Sequence, residues 1–121
     1  MNSIKVLIVD DEAELREAIA GYLELEDFEC FTASNGVEAF NIIEKESISF
    51  VISDIRMPGG DGVELLKRIK AKYPDIPLVM LMTGFAEVTE TQVLKMGGLG
   101  ILEKPINMQA LVKNLRSYFP A

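Results

Sequence analysis

Residues 4–12 read Ile4-Lys5-Val6-Leu7-Ile8-Val9-Asp10-Asp11-Glu12, a short apolar run that stops abruptly at a block of carboxylates. Near-continuous Val, Leu and Ile over so few residues predicts a strand covered on both faces, as in a parallel sheet. The run is far too short to span a membrane or to serve as a signal peptide. Just beyond it, Leu15, Ile19, Tyr22 and Leu23 fall on one stripe, which predicts a helix near Glu12–Leu25 with acidic residues at its positive N-terminal end. Strand, acidic turn and helix make half of a βα unit, and the rest of the chain repeats the pattern.

The predicted strands are Ile4–Val9, Phe28–Ala33, Phe50–Ser53, Ile76–Met82 and Leu99–Glu103. Leu78-Val79-Met80-Leu81 reads like the first strand, whereas the alternation in Phe28-Glu29-Cys30-Phe31-Thr32 suits a sheet edge and makes Cys30 inert packing. A second helix is predicted over Gly36–Lys45, because Asn35 with Glu38 has capping-box spacing; Asp61 with Glu64 repeats the device before a third helix that Pro74 ends. The last helix, Met108–Phe119, carries Met108, Leu111, Val112, Leu115 and Phe119 at helical spacing behind an Asn107 cap. The fourth, near Ala86–Met96, is the weak one: Val88, Thr89, Thr91 and Val93 are β-branched, and it is the element expected to move. Strict alternation predicts one doubly wound α/β domain over residues 1–121, with five parallel strands and five flanking helices.

Composition agrees. The 121 residues are 49% hydrophobic and 26% charged, close to globular averages, and at this length roughly two-thirds of the surface can be buried without disulfides or metals. Twelve Lys and Arg against nineteen Asp and Glu leave a net charge of −7, which argues against nucleic acid or an anionic membrane as partner. The densest basic group, Lys67, Arg68, Lys70 and Lys72, reads as the solvated face of a helix. A single Cys30 rules out an internal disulfide and suits a reducing cytoplasm, while the absence of histidine removes the commonest general base and zinc ligand. Acid–base chemistry must fall to carboxylates or lysine.

In open parallel sheets the ligand site lies beyond the carboxyl ends of the strands. Here the first strand runs into Asp10-Asp11, the third into Asp54, the fourth into Thr83 and the fifth into Lys104-Pro105. Each residue alone has a bland explanation as a cap, a turn or a solvated charge. Together they bring three carboxylates, a hydroxyl and an amine to one edge. Three carboxylates repel one another unless they share protons or bind a cation, and an oxygen-only set without His or clustered Cys favours Mg²⁺, for which Mn²⁺ is a substitute. Because Mg²⁺ is commonly shared with phosphate oxygens, the implied substrate is a phosphoryl group, with a carboxylate as nucleophile.

These motifs give the chain a resemblance to the receiver domain of two-component response regulators along nearly its whole length. They are Val9-Asp10-Asp11-Glu12, Asp54-Ile55-Arg56-Met57-Pro58-Gly59-Gly60-Asp61-Gly62, Thr83-Gly84 and Lys104-Pro105, in this order and spacing. The resemblance implies strand order 2-1-3-4-5 and a phosphoacceptor Asp54, served by a sensor histidine kinase, a histidine phosphotransfer protein or a small phosphodonor. It implies Mg²⁺ held by Asp10, Asp11, Asp54 and the Arg56 backbone carbonyl, with Asp11 the direct ligand of the acidic pair and Asp10 acting mainly through water. Lys104 would pair with the phosphoryl oxygens. Thr83 would turn toward them and carry the signal to the face of the fourth helix, fifth strand and fifth helix, where a partner or output domain reads it.

Arg56 and Phe85 stand where the family tunes hydrolysis, Gly62 and Pro105 have structural roles, and Pro105 is expected to follow a cis peptide. The family's usual aromatic three positions before the lysine is Ile101 here, flanked by Gly100. That departure, with Gly97 and Gly98, predicts a smaller side-chain switch and more backbone movement. Two rival readings use the same topology. A small Mg²⁺-dependent phosphohydrolase with an aspartyl nucleophile would normally need a cap segment, which is not apparent, and a flavin- or nucleotide-binding module would want a Gly- or hydroxyl-rich loop where Asp10-Asp11-Glu12 stands.

Overall fold

The computed structural model describes residues 4–58, 61–84 and 88–120. Among them ten elements alternate: β1 (Lys5–Val9), α1 (Ala13–Leu25), β2 (Glu29–Ala33), α2 (Gly36–Lys45), β3 (Phe50–Asp54), α3 (Gly62–Lys72), β4 (Leu78–Thr83), α4 (Glu90–Lys95), β5 (Gly100–Glu103) and α5 (Met108–Tyr118). The strands make one parallel sheet in the order β2-β1-β3-β4-β5. Winding reverses between β1 and β3, which opens a crevice at their carboxyl ends.

Strand side chains alternate between two faces, so each central strand feeds two cores. Leu7, Val9, Val51, Val79 and Leu81 pack with Ile43 of α2, Leu65 and Ile69 of α3 and Val93 of α4. Val6, Ile8, Phe50, Ile52, Met80 and Met82 pack with Ile19 and Leu23 of α1 and Leu111 and Leu115 of α5. Phe119 closes this second core edge-to-face on Phe50, ring centroids 6.4 Å apart at 80°. Cys30 lies half-buried on edge strand β2, its thiol pushed up to about 12 by burial and by the charges of Glu24 and Glu29. It packs as a neutral group.

Several boundaries differ from the sequence reading. β4 begins at Leu78 and not Ile76: Pro77 has no N–H to give a ladder, and Ile76 is exposed. At the other end, β3 and β4 each run one residue further, because Asp54 pairs with Met82 and Thr83 with Glu103. Both polar residues therefore sit on strands, not in loops. Asn35 and Asp61 cap as expected, accepting the Glu38 and Glu64 N–H at 2.9 and 2.8 Å. α4 is shorter than predicted. Its expected start at Ala86 lies outside the described residues, and Thr89 acts as its N-cap in a full capping box with Gln92 (3.1 and 2.8 Å). The β-branched residue that weakens a helix interior here begins the helix. Gly97, at φ 94°, ends the turn that follows.

The basic group on α3 does form an exposed face, with Lys67, Arg68 and Lys72 exposed and Lys70 half-buried, and three of the four find partners there. Lys72 pairs with Glu44 at 2.8 Å, Lys70 Nζ donates to the Pro77 carbonyl at 2.7 Å, and the Arg68 guanidinium lies 4.3 Å from the centre of the Phe40 ring. Among the described residues no helix is long and apolar enough to cross a membrane.

Candidate functional site

Asp10 follows β1 and is fully buried. Its N–H donates to the Ala33 carbonyl at 3.1 Å, Oδ1 accepts the Glu12 N–H at 2.8 Å, and Oδ2 accepts from Lys104 Nζ at 2.9 Å. Its backbone carbonyl, past the end of the strand, accepts from Arg16 Nη1 at 2.6 Å. A buried carboxylate is tolerable only with such partners.

Asp54 ends β3 and is 7% exposed. Lys104 Nζ lies 3.2 Å from its Oδ2, so one ammonium bridges the Asp10 and Asp54 carboxylates. The Asp54 carbonyl accepts the Ser53 hydroxyl at 2.9 Å, and Gly62 of α3 packs directly against it: a Cβ there would stand 2.2 Å from the carbonyl oxygen. Only glycine allows α3 to start so close to the strand.

Carboxylate oxygens of Asp10, Asp11 and Asp54 all lie within 4.8 Å of one another, with Asp11 exposed and the other two buried. Burial pushes the Asp54 carboxyl above the usual carboxylate range; the Lys104 ammonium opposes this and the Asp10 charge adds to it. For Lys104, burial alone would lower the ammonium, but hydrogen bonds and attraction from Asp10 and Asp54 hold it above the ordinary lysine value. Of the three carboxylates, Asp10 and Asp54 share the Lys104 ammonium, and the Asp11 side of the cluster is exposed. That donor set, all oxygen and partly exposed, fits a hard divalent cation that keeps some of its waters.

Of the remaining predicted residues, those described lie on β4, on β5 and in the segments that follow β3 and β5. Thr83 ends β4, is 7% exposed, and its carbonyl accepts the Lys104 N–H at 2.9 Å, tying the lysine's backbone to the strand that carries the hydroxyl. Arg56 is exposed two residues past Asp54, where the Ile55 N–H is fixed to the Met82 carbonyl at 3.0 Å. Ile101 is half-buried beside a cavity of about 400 Å³ that Thr83, Val88, Glu90 and Lys104 also line. The Lys104–Pro105 peptide is cis. Phe85 lies outside the described residues. Sequence reasoning missed Arg16 and Ser53, both of which bond to backbone carbonyls of the acidic residues. Only the cation four residues into a helix, against the sign that position favours, could have drawn attention to Arg16.

Comparison with known proteins agrees with this geometry. The family model described as "Response regulator receiver domain" matches residues 6–116. Sporulation initiation phosphotransferase F of Bacillus subtilis is 34% identical over 121 residues, which cover 99% of this chain and 97% of that protein. Response regulator protein FleR of Pseudomonas aeruginosa is 38% identical over 109 residues, 89% of this chain but 23% of that protein, so the chain spans about a quarter of the length of such relatives. Among solved structures, a CheY-like receiver domain protein from Methanospirillum hungatei superposes with a TM-score of 0.90 at 26% identity, covering 97% of this chain and 94% of that one. Chemotaxis response regulator CheY4 of Vibrio cholerae gives 0.85 at 28% identity, covering 96% and 98%. The chain belongs to the response regulator receiver domain family, the phosphoacceptor switches of two-component signalling.

Proposed function

We propose that residues 1–121 act as one receiver domain in which Asp54 is the phosphoacceptor. The observation that carries this is the convergence of Asp10, Asp11 and Asp54 oxygens within 4.8 Å, with Lys104 Nζ 2.9 and 3.2 Å from the two buried carboxylates. An Asp54 oxygen attacks the phosphorus of a phosphohistidine or small acyl phosphate, the bond to the donor breaks, and an acyl phosphate remains on Asp54. Asp11, Asp54, the Arg56 carbonyl and, through water, Asp10 would hold Mg²⁺, which when bound supplies the positive charge that admits a phosphoryl dianion to an acidic corner. Lys104, already between the carboxylates, exchanges a carboxylate partner for a phosphoryl oxygen. Thr83 donates its hydroxyl to another and draws β4 with it.

The donor is the phosphohistidine of a cytoplasmic sensor kinase or phosphotransfer protein, and transfer and hydrolysis are self-catalysed. The readout is the face of α4, β5 and α5, where Leu94 and Tyr118 are 53% and 46% exposed, with a partner protein or an attached output domain as reader. Arg56 and Phe85 occupy the sequence positions at which the family tunes attack of water on the acyl phosphate. Incubation with acetyl phosphate and Mg²⁺, followed by intact-mass spectrometry, tests the reading: the wild-type chain gains one phosphoryl mass and Asp54→Asn does not. An adduct that persists on the Asn variant removes Asp54 from the role.

A further inference from the structure

The turn between β1 and α1 is held differently from the other described helix starts. Asn35, Asp61, Thr89 and Asn107 cap α2, α3, α4 and α5 with their own side chains, whereas Glu12 at the start of α1 makes no such bond. The turn is instead tied at Asp10, through Oδ1 to the Glu12 N–H and through the carbonyl to Arg16. Arg16 is the fourth residue of α1, where a cation works against the helix dipole, and helical side chains lean back toward the N-terminus. Its guanidinium uses that lean to reach a carbonyl that lies past the β1 ladder.

We infer that Arg16 is a positioning residue of the cation site: its bond to the Asp10 carbonyl sets the plane of the Asp10–Asp11 peptide and so aims the exposed Asp11 carboxylate at Asp10 and Asp54. The inference rests on the reading of that cluster as a Mg²⁺ site. Asp10 is fixed by its other bonds, and Asp54 by its strand. Asp11 is exposed, so its aim depends on the peptide that precedes it. The role is separable from charge by sign. Removing a cation beside an acidic site should, by Coulomb attraction alone, tighten binding of a divalent cation; removing a positioning bond should loosen it.

Isothermal titration of Mg²⁺ into wild type, Arg16→Met and Arg16→Lys decides between them, with far-UV circular dichroism confirming the fold. Supporting-bond losses around metal ligands cost about ten- to a hundredfold in affinity, and the expected result is a dissociation constant raised toward that range in Arg16→Met and less in Arg16→Lys, which keeps a donor but loses the planar fork. Acetyl phosphate labelling of Arg16→Met should reach the wild-type rate once Mg²⁺ is saturating. Equal or tighter Mg²⁺ binding in the variants overturns the inference, as does a labelling deficit that Mg²⁺ cannot overcome. If Arg16→Met does not fold, Arg16→Lys alone decides, since wild-type affinity there would sink the idea. Failure of the wild type itself to bind Mg²⁺ would instead reject the reading of the site, and this inference with it.

Discussion

The corner around Asp10 and Asp54 is fastened by a strand ladder, by bonds to backbone and by the Lys104 bridge, while the described part of the corner beyond Thr83 hangs on a capping box and one buried helix side chain. Asp10 makes four bonds, Asp54 sits in the β3 ladder, and the start of α3 presses its backbone against the Asp54 carbonyl. Past Thr83, a six-residue helix rests on one buried side chain, Val93, behind a cavity of about 400 Å³ and ahead of Gly97, Gly98 and Gly100. Helices so short have little stability of their own and persist through packing and caps. A contact that distinguishes two states can shift only what is cheap to shift. One corner is thus suited to hold a reactive geometry, and the other to answer it.

The sharpest way to break that comparison is a pair of glycine substitutions, one in each corner. A Cβ at Gly62 meets the Asp54 carbonyl oxygen at 2.2 Å, an atom that cannot move without moving the strand. A Cβ at Gly98 meets Val93 Cγ1 at 2.6 Å, Leu66 Cδ2 at 3.1 Å and the Val93 carbonyl oxygen at 3.3 Å, so it pushes on the short helix α4 and not on a sheet strand. Overpacking ordinarily costs about 1–3 kcal/mol. Gly62→Ala should lie at or beyond the top of that range and also impair labelling of Asp54, whereas Gly98→Ala should cost less, because α4 can shift away with Val93, and should leave labelling intact. Urea unfolding and acetyl phosphate labelling measure both; equal costs would mean that the two corners are equally stiff.

Lys104→Ala and Thr83→Ala test the division of labour at the boundary. Lys104 belongs to the fixed corner, and losing a preorganised cation of this kind should slow labelling about 10²-fold. Thr83→Ala should still label substantially, but beryllofluoride should no longer alter amide exchange across residues 88–101. If Thr83→Ala cannot be labelled while Lys104→Ala labels normally, the two roles are reversed.

How far the sequence could be read follows the same line. The strands were legible because buried parallel strands leave unbroken apolar runs, and Asn35, Asp61 and Asn107 were legible because a side-chain cap leaves its own residue behind. The family's order of Asp10-Asp11, Asp54, Thr83 and Lys104 pointed to the candidate site, and the structure brings the Asp10, Asp11 and Asp54 oxygens within 4.8 Å of one another. What escaped were bonds to backbone. The Arg16 and Ser53 partners are carbonyls, which have no letter in a sequence, and the continuation of β3 and β4 through Asp54 and Thr83 is a matter of ladder pairing. Thr89 escaped for another reason: the same β-branched hydroxyl disfavours a helix interior and favours its first boundary, and only the Gln92 partner decides which applies.

The smallest expected effect concerns that cap. Thr89 Oγ1 accepts the Gln92 N–H at 3.1 Å while Gln92 Oε1 accepts the Thr89 N–H at 2.8 Å, so Thr89→Ala removes one arm and loosens the other. Losing an N-cap costs about 1 kcal/mol. In α1 or α3, long helices seated on three or more buried side chains, a loss of that size would be absorbed; in α4, which buries Val93 alone, it should fall on local opening. Amide exchange in residues 90–95 should therefore speed up by about fivefold, the factor that 1 kcal/mol represents, while exchange in β1, β3 and α3 changes little. Because α4 is then nearer its open state before any phosphoryl group arrives, beryllofluoride should produce a smaller further change there. Uniform acceleration across the whole chain would show that α4 unfolds only with the rest of the domain, and the contrast between the two corners would not hold.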